Sequence, residues 1–148
     1  MSIKKFRDEY RFLSNFVPVK VQFEGEEYNS VEHAYVAAKT LSPVWRNEIK
    51  AIPTAGAVKK FGKFLDLRPD WSLVRLKIME DLVRQKFAHK EYGELLFATG
   101  EVPIIEGNNW HDNFWGSCVC DNCGDKGKNN LGKILMKIRK ELAQPTIF

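Results

Sequence analysis

Along the chain the spacing of apolar residues changes period several times, and each change marks an element. Val19, Val21 and Phe23 recur every second residue, and the turn Glu24-Gly25-Glu26 ahead of Tyr28 completes a strand and hairpin with one face toward a core. From Ser30 the pattern is helical: Ser30 is a good N-cap, Ala34, Val36, Ala37 and Ala38 favour helix, and Glu32 suits the positive helix end, so a short helix runs from Ser30 to about Thr40. Ser42-Pro43 starts another helix that passes through Trp45 and Ile49 and stops at Pro53, and Thr54 caps a third run from Ala55 to Leu65. Asp70 caps the longest helix, Trp71 to about His89, on which Val74, Ile78 and Leu82 with Leu76, Met79, Val83 and Phe87 make a broad apolar stripe. A helix over Glu91 to Ala98, a short strand over Val102 to Glu106 and a last helix carrying Leu131, Ile134, Leu135, Ile138 and Leu142 follow. The pattern predicts an α+β fold, mostly helical with a small β-sheet.

Composition narrows this little. The 148 residues fit one domain, 1–148, and 44% hydrophobic with 28% charged residues is ordinary for a globular chain. No apolar run is long enough to span a bilayer and the N-terminus lacks an apolar signal core, which predicts a cytoplasmic protein without a membrane partner. A net charge of +4 mildly favours anionic partners. The three cysteines lie within six residues, Cys118 to Cys123, so a disulfide framework is not expected.

Chemistry enters at the first helix. Glu32 and Lys39 are seven residues apart and so fall within about 20° of one face, with about 10 Å of rise between them. Helical side chains lean toward the N-terminus, so the Lys39 amine reaches back toward the Glu32 carboxylate with Tyr35 flanking the gap. A solvated face with a packing aromatic is the plain alternative. Trp71, at the start of the long helix, reads as a packing staple, and Ser14-Asn15-Phe16 reads as a turn. Lys59, Lys60 and Lys63 read as a solvated face, with phosphate contact the second reading.

Asn108 to Asn130 is the least regular stretch, and such stretches in compact domains are usually functional. Gly124 to Asn129 leads into the last helix, and glycines opening a helix beside Lys126 and Lys128 make a possible phosphate cradle, with plain capping by Asn129 as the alternative. His111, Cys118, Cys120 and Cys123 supply the four ligands of a closed zinc site, although Cys-x-Cys-x2-Cys departs from the usual paired knuckles. Free thiols are the other reading.

Four blocks, Phe-Leu-Ser-Asn-Phe-Val-Pro (Phe12–Pro18), Ser-Val-Glu-His-Ala-Tyr-Val-Ala-Ala-Lys-Thr (Ser30–Thr40), Asp-Asn-Phe-Trp-Gly (Asp112–Gly116) and Gly-Lys-Asn-Asn-Leu-Gly-Lys-Ile-Leu-Met-Lys-Ile-Arg (Gly127–Arg139), stand in an order that resembles the NADAR (YbiA-like) family. The resemblance implies an N-glycosidase that cleaves the bond between ribose C1 and a base or base-like amine. It implies catalytic roles for Glu32, Lys39 and Asp112, and substrate contacts from Asn15, Phe16, Tyr35, Trp71, Trp115, Gly116 and Asn129. Substrates implied are phosphoribosylamino-pyrimidine intermediates of riboflavin synthesis, or ADP-ribosylated guanine in nucleosides or nucleic acid. The family pattern is metal-free, so no cofactor is expected, with structural zinc on His111 and the cysteines as the alternative. A non-catalytic ADP-ribose or nucleotide-binding module, and a small zinc-stabilised nucleic-acid-binding domain, are the rival readings.

Overall fold

Two short strands, β1 (Val21–Phe23) and β2 (Glu26–Tyr28), pair antiparallel with Val21 opposite Tyr28, and both of those side chains are buried. The two residues between them, Glu24 and Gly25, both have positive φ, the conformation of the turn whose twist matches a hairpin. Helices α1 (Val31–Ala38), α2 (Pro43–Ala51), α3 (Ala55–Gly62), α4 (Trp71–Ala88), α5 (Lys90–Ala98) and α6 (Asn130–Ala143) follow the order that the apolar pattern predicts. The computed structural model describes residues 1–144, and the fold is α+β, with helix dominant and two small sheets among the described residues. The chain divides into two units, one of Asn15–Lys86 and one of Met1–Ser14 with the chain from Phe87 onward. Among the described residues no helix is long and apolar enough to cross a membrane.

In the first unit α1 is the innermost element: seven of its eight residues are buried, all but Glu32. A helix so covered needs its free end groups met by protein rather than water. At its N-terminus Ser30 Oγ accepts the His33 backbone N–H at 3.0 Å and also lies 2.6 Å from His33 Nδ1. His33 Nε2 is 2.8 Å from the Ile52 carbonyl, which can only accept, so Nε2 carries the proton and Nδ1 accepts from the Ser30 hydroxyl. At the other end Arg46 Nε donates to the carbonyls of Ala37 and Thr40. Ser42 and Thr54 cap α2 and α3 in the ordinary way, accepting from Trp45 and Ala57.

Several expectations change. α3 stops at Gly62 rather than Leu65. Asp70 opens α4 through its carbonyl, which accepts from Val74 N–H, while Arg68 engages its carboxylate at 2.6 and 3.1 Å. On α4 the buried positions are Trp71 at its start and then Met79, Leu82, Val83, Lys86 and Phe87, an i, i+3, i+4, i+7, i+8 stripe from Met79, whereas Leu76 is 44% exposed. Lys86 is 0% exposed, a position that a charge-based reading leaves in solvent.

In the second unit, the expected strand over Val102 to Glu106 is a bridge at Ile104 to Ile3, and pairing resumes in β3 (Gly107–Asn108), parallel to β4 (Ser117–Cys118). α6 buries Leu131, Ile134, Leu135 and Ile138, but Leu142 is 40% exposed near its end. Gly132 on α6 is needed for close approach, since a Cβ there would lie 2.3 Å from the Ile104 carbonyl oxygen.

Because Ser30 serves both a helix end and a buried imidazole, Ser30→Ala is expected to cost roughly 2–3 kcal/mol, against about 1 kcal/mol for the exposed cap change Thr54→Ala. Urea unfolding of the two variants measures this, and equal losses would contradict the dual role of Ser30.

Candidate active site

The residues singled out from the sequence divide between the two units. Asn15, Phe16, Glu32, Tyr35, Lys39 and Trp71 lie in the first, and Asp112, Trp115, Gly116 and Asn129 in the second.

In the first unit the ends of α1 set the geometry. Glu32 is half-buried in the first turn, and its backbone N–H donates to the Asn15 carbonyl at 3.2 Å, which ties the Asn15–Phe16 turn to the helix end. Asn15 Nδ2 points at Met79 Sδ, 3.5 Å away. Lys39 ends α1, and its carbonyl accepts from Arg68 N–H at 2.8 Å. Its Nζ stands 5.5 Å from the centre of the Tyr35 ring, and that ring packs on Trp71 with centroids 5.1 Å apart. Tyr35 and Trp71 are 6% and 7% exposed, so little of either ring is open.

α3 closes this corner. It packs on α1 with Gly62 at the contact, where a Cβ would lie 3.1 Å from Val36 Cγ1 and 3.7 Å from Lys39 Nζ. Lys59, on the same helix, places Nζ 5.8 Å from the centre of the Phe16 ring. Burial pushes the Lys39 amine below the ordinary lysine value of 10.5; the Glu32 carboxylate opposes this and the Lys59 cation adds to it. An amine held partly desolvated over an aromatic ring, with a carboxylate at the far end of the same helix, can act as a base, a nucleophile or an anion contact.

The second unit holds its candidates on a polar frame. Asp112 accepts the N–H groups of Phe114 and Trp115 on one carboxylate oxygen, at 3.1 and 2.9 Å, while its own backbone N–H and carbonyl pair with the Asn108 side chain. Trp115 stands edge-on to Phe114 with centroids 4.8 Å apart. Gly116 is buried where a Cβ would fall 2.1 Å from the Glu106 carbonyl oxygen, so the segment after Trp115 depends on glycine there. Asn129 spends its amide on the Glu106 N–H and the Ile104 carbonyl, and its φ of 52° puts it in the left-handed region.

The phosphate-cradle reading is corrected here. The N–H groups of Lys128, Asn129, Asn130 and Leu131 go to the carbonyls of Asn113, Gly116, Phe114 and Trp115. The donors that would hold a phosphate are already used by the chain, and Asn129 makes no side-chain cap. The sequence marks Lys59 only as part of a solvated face with phosphate contact second, since its place beside Phe16 depends on how α3 lies on α1, and sequence reasoning missed Asn108, which no periodic signal marks. His111, Cys118, Cys120 and Cys123 gather in one cluster of the second unit.

Comparison with known proteins agrees with the four sequence blocks: a model of the NADAR domain matches residues 3–143. The chain belongs to the NADAR family. NADAR relatives include the N-glycosidase YbiA of Escherichia coli, 32% identical over 139 residues covering 92% of this chain and 84% of that protein. An N-glycosidase of Nostoc punctiforme is 33% identical over 90% of this chain and 86% of its own length. A riboflavin biosynthesis protein of Vibrio vulnificus is 31% identical over 93% of this chain but only 37% of itself. The solution structure of E. coli YbiA superposes with a TM-score of 0.79 at 31% identity, covering 96% of this chain and 85% of that one.

The depressed Lys39 pKa has a consequence for stability. Below the folded value both states carry the charge and burial penalises the fold in full; between that value and 10.5 the unfolded chain holds more protons, so stability rises with pH. Lys39→Met, which keeps the stem and removes the charge, is expected to be at least as stable as wild type at pH 7, with an advantage that shrinks as pH approaches 10.5. Urea midpoints across that range check this, and an advantage independent of pH would refute the burial of a charged amine.

Proposed function

We propose that the chain hydrolyses the N-glycosidic bond between ribose C1 and a nitrogen of a base or base-like amine. The observation that carries this is the partly desolvated Lys39 amine held over Tyr35 on the helix that also presents Glu32. The NADAR membership and the N-glycosidases among its relatives support it.

Breaking such a bond builds positive charge on the ribose, and the departing nitrogen needs a proton. Glu32 serves either as the carboxylate that stabilises that charge or, protonated, as the acid that delivers the proton. Tyr35 and Trp71 form the apolar wall for the base, and Lys59 beside Phe16 offers a cation to an anionic substrate. Lys39, in its neutral form, attacks C1. The C1–N bond breaks with its electron pair leaving on the base, the ring oxygen then departs as an imine forms, and water returns the free sugar and the amine. The family resemblance makes Asp112 a second carboxylate of the reaction.

The substrate is a ribosylated base or base-like amine, either a small phosphoribosylamino-pyrimidine of the riboflavin pathway or an ADP-ribosylated guanine, free or in nucleic acid. A cytoplasmic location is part of the same proposal.

Incubation of the purified chain with each substrate, with products resolved by chromatography and mass spectrometry, decides the reaction and the substrate together. Glu32→Gln is expected to lower turnover by about 10²–10⁴-fold. Asp112→Asn keeps an oxygen for the Phe114 and Trp115 N–H groups, so a fall in its turnover reports the charge. Borohydride added during turnover should leave a covalent adduct on Lys39, and its absence would remove the imine step only. Intact ligand recovered after long incubation with bound protein would replace the hydrolase by a binding module.

A further inference from the structure

We propose that His111 Nδ1 and the Sγ atoms of Cys118, Cys120 and Cys123 bind one structural zinc ion. All four donor atoms lie within 4.8 Å of one another. His111 Nδ1 is 3.4 Å from Cys123 Sγ, 3.6 Å from Cys120 Sγ and 3.7 Å from Cys118 Sγ. A zinc tetrahedron with bonds of about 2.3 Å to sulfur and about 2.05 Å to nitrogen has N···S edges of about 3.5–3.6 Å. The three spacings bracket that edge.

Hydrogen bonding does not account for the convergence. A ring nitrogen has either one proton or one lone pair, so Nδ1 can pair with one sulfur and not with three. A disulfide does not account for it either, because the three cysteines are free and any pair would leave the third beside the imidazole. A cation at the centre uses all four donors. Three thiolates and an imidazole are a soft set that suits zinc, and four protein ligands leave no position for water or substrate, so the ion is structural.

The surroundings hold the donors in place. Cys118 is on β4, fully buried, and its N–H donates to Asn113 Oδ1 at 2.8 Å. The Cys123 N–H donates to Cys120 Sγ at 3.4 Å. His111 sits at a φ of 68°, uncommon for a residue with a side chain, and the residues on either side of it donate to Asn108 Oδ1. The ion would therefore fasten the His111 turn to the Cys118–Cys123 loop and fix the neighbour of Asp112.

The test uses the full chain without a histidine tag, purified under reducing conditions from zinc-supplied cells. Elemental analysis should find about one zinc per chain, held at about nanomolar affinity or tighter against a chromophoric chelator. Cobalt(II) in its place should give thiolate-to-metal charge transfer and the visible bands of a tetrahedral site. Cys120→Ser and His111→Ala should each weaken zinc binding by at least about tenfold. If those variants fail to fold, wild-type thiols still report: all three should react with a thiol reagent slowly with zinc bound and quickly after chelation. Folded protein holding less than about one-tenth of an equivalent after reconstitution, thiol reactivity unchanged by zinc, or ligand variants that retain wild-type affinity would each overturn the proposal. None of these readouts depends on turnover, so they stand or fall apart from the hydrolase reading.

Discussion

A helix buried on nearly every side cannot leave its end groups to water, and that constraint on α1 organises the first unit. The N-terminal donors are met by Ser30 and by the Asn15 carbonyl, and the C-terminal acceptors by Arg46. Each partner comes from a different stretch of chain, so satisfying the helix draws the Asn15 turn and α2 to it. Glu32 and Lys39 then occupy the two places on a buried helix where a charge can be half-covered. A carboxylate at the positive end and an amine at the negative end are also where the helix dipole favours them.

The second unit solves a comparable problem with amides instead of a helix. The irregular segment between β3 and α6 has few apolar side chains to bury, so its backbone is ordered by Asn108, Asn113 and Asn129, each bonding to backbone groups in a neighbouring stretch. This frame positions Asp112 and Trp115 and occupies the N–H groups of Lys128, Asn129, Asn130 and Leu131 at the start of α6. Glycine is required in it for room rather than for anion binding, as the 2.2 Å approach that a Cβ at Gly127 would make to the Gly116 carbonyl oxygen illustrates.

The helices were legible because their apolar residues repeat over several turns and their caps are ordinary: Ser30, Ser42 and Thr54 all cap where the sequence places them. The hairpin was legible for the same kind of local reason. Short strands were not, because a parallel pair of two residues, Gly107–Asn108 with Ser117–Cys118, is set by the loops around it and not by a repeat of its own. The pairing of Glu32, Tyr35 and Lys39 follows from helical geometry, whereas Trp71 against Tyr35 and Lys59 against Phe16 are tertiary contacts that no local period encodes. The burial of Lys86 likewise depends on what covers α4.

Burial, the largest influence on Lys39, also explains why α3 carries glycine at position 62. A side chain there would press on Val36 and approach the amine, so the close packing that desolvates Lys39 depends on the missing Cβ. Desolvation has an advantage over a neighbouring cation as a way to depress an amine, because it is little affected by salt, while the Lys59 contribution is screened. It also has a cost, since the fold then carries a charge that it disfavours whenever Lys39 is protonated. Glu32 offsets part of that cost without restoring the ordinary pKa, which leaves the amine between a structural ion pair and a free base. The shift runs in the direction that a lysine acting as a base or nucleophile needs.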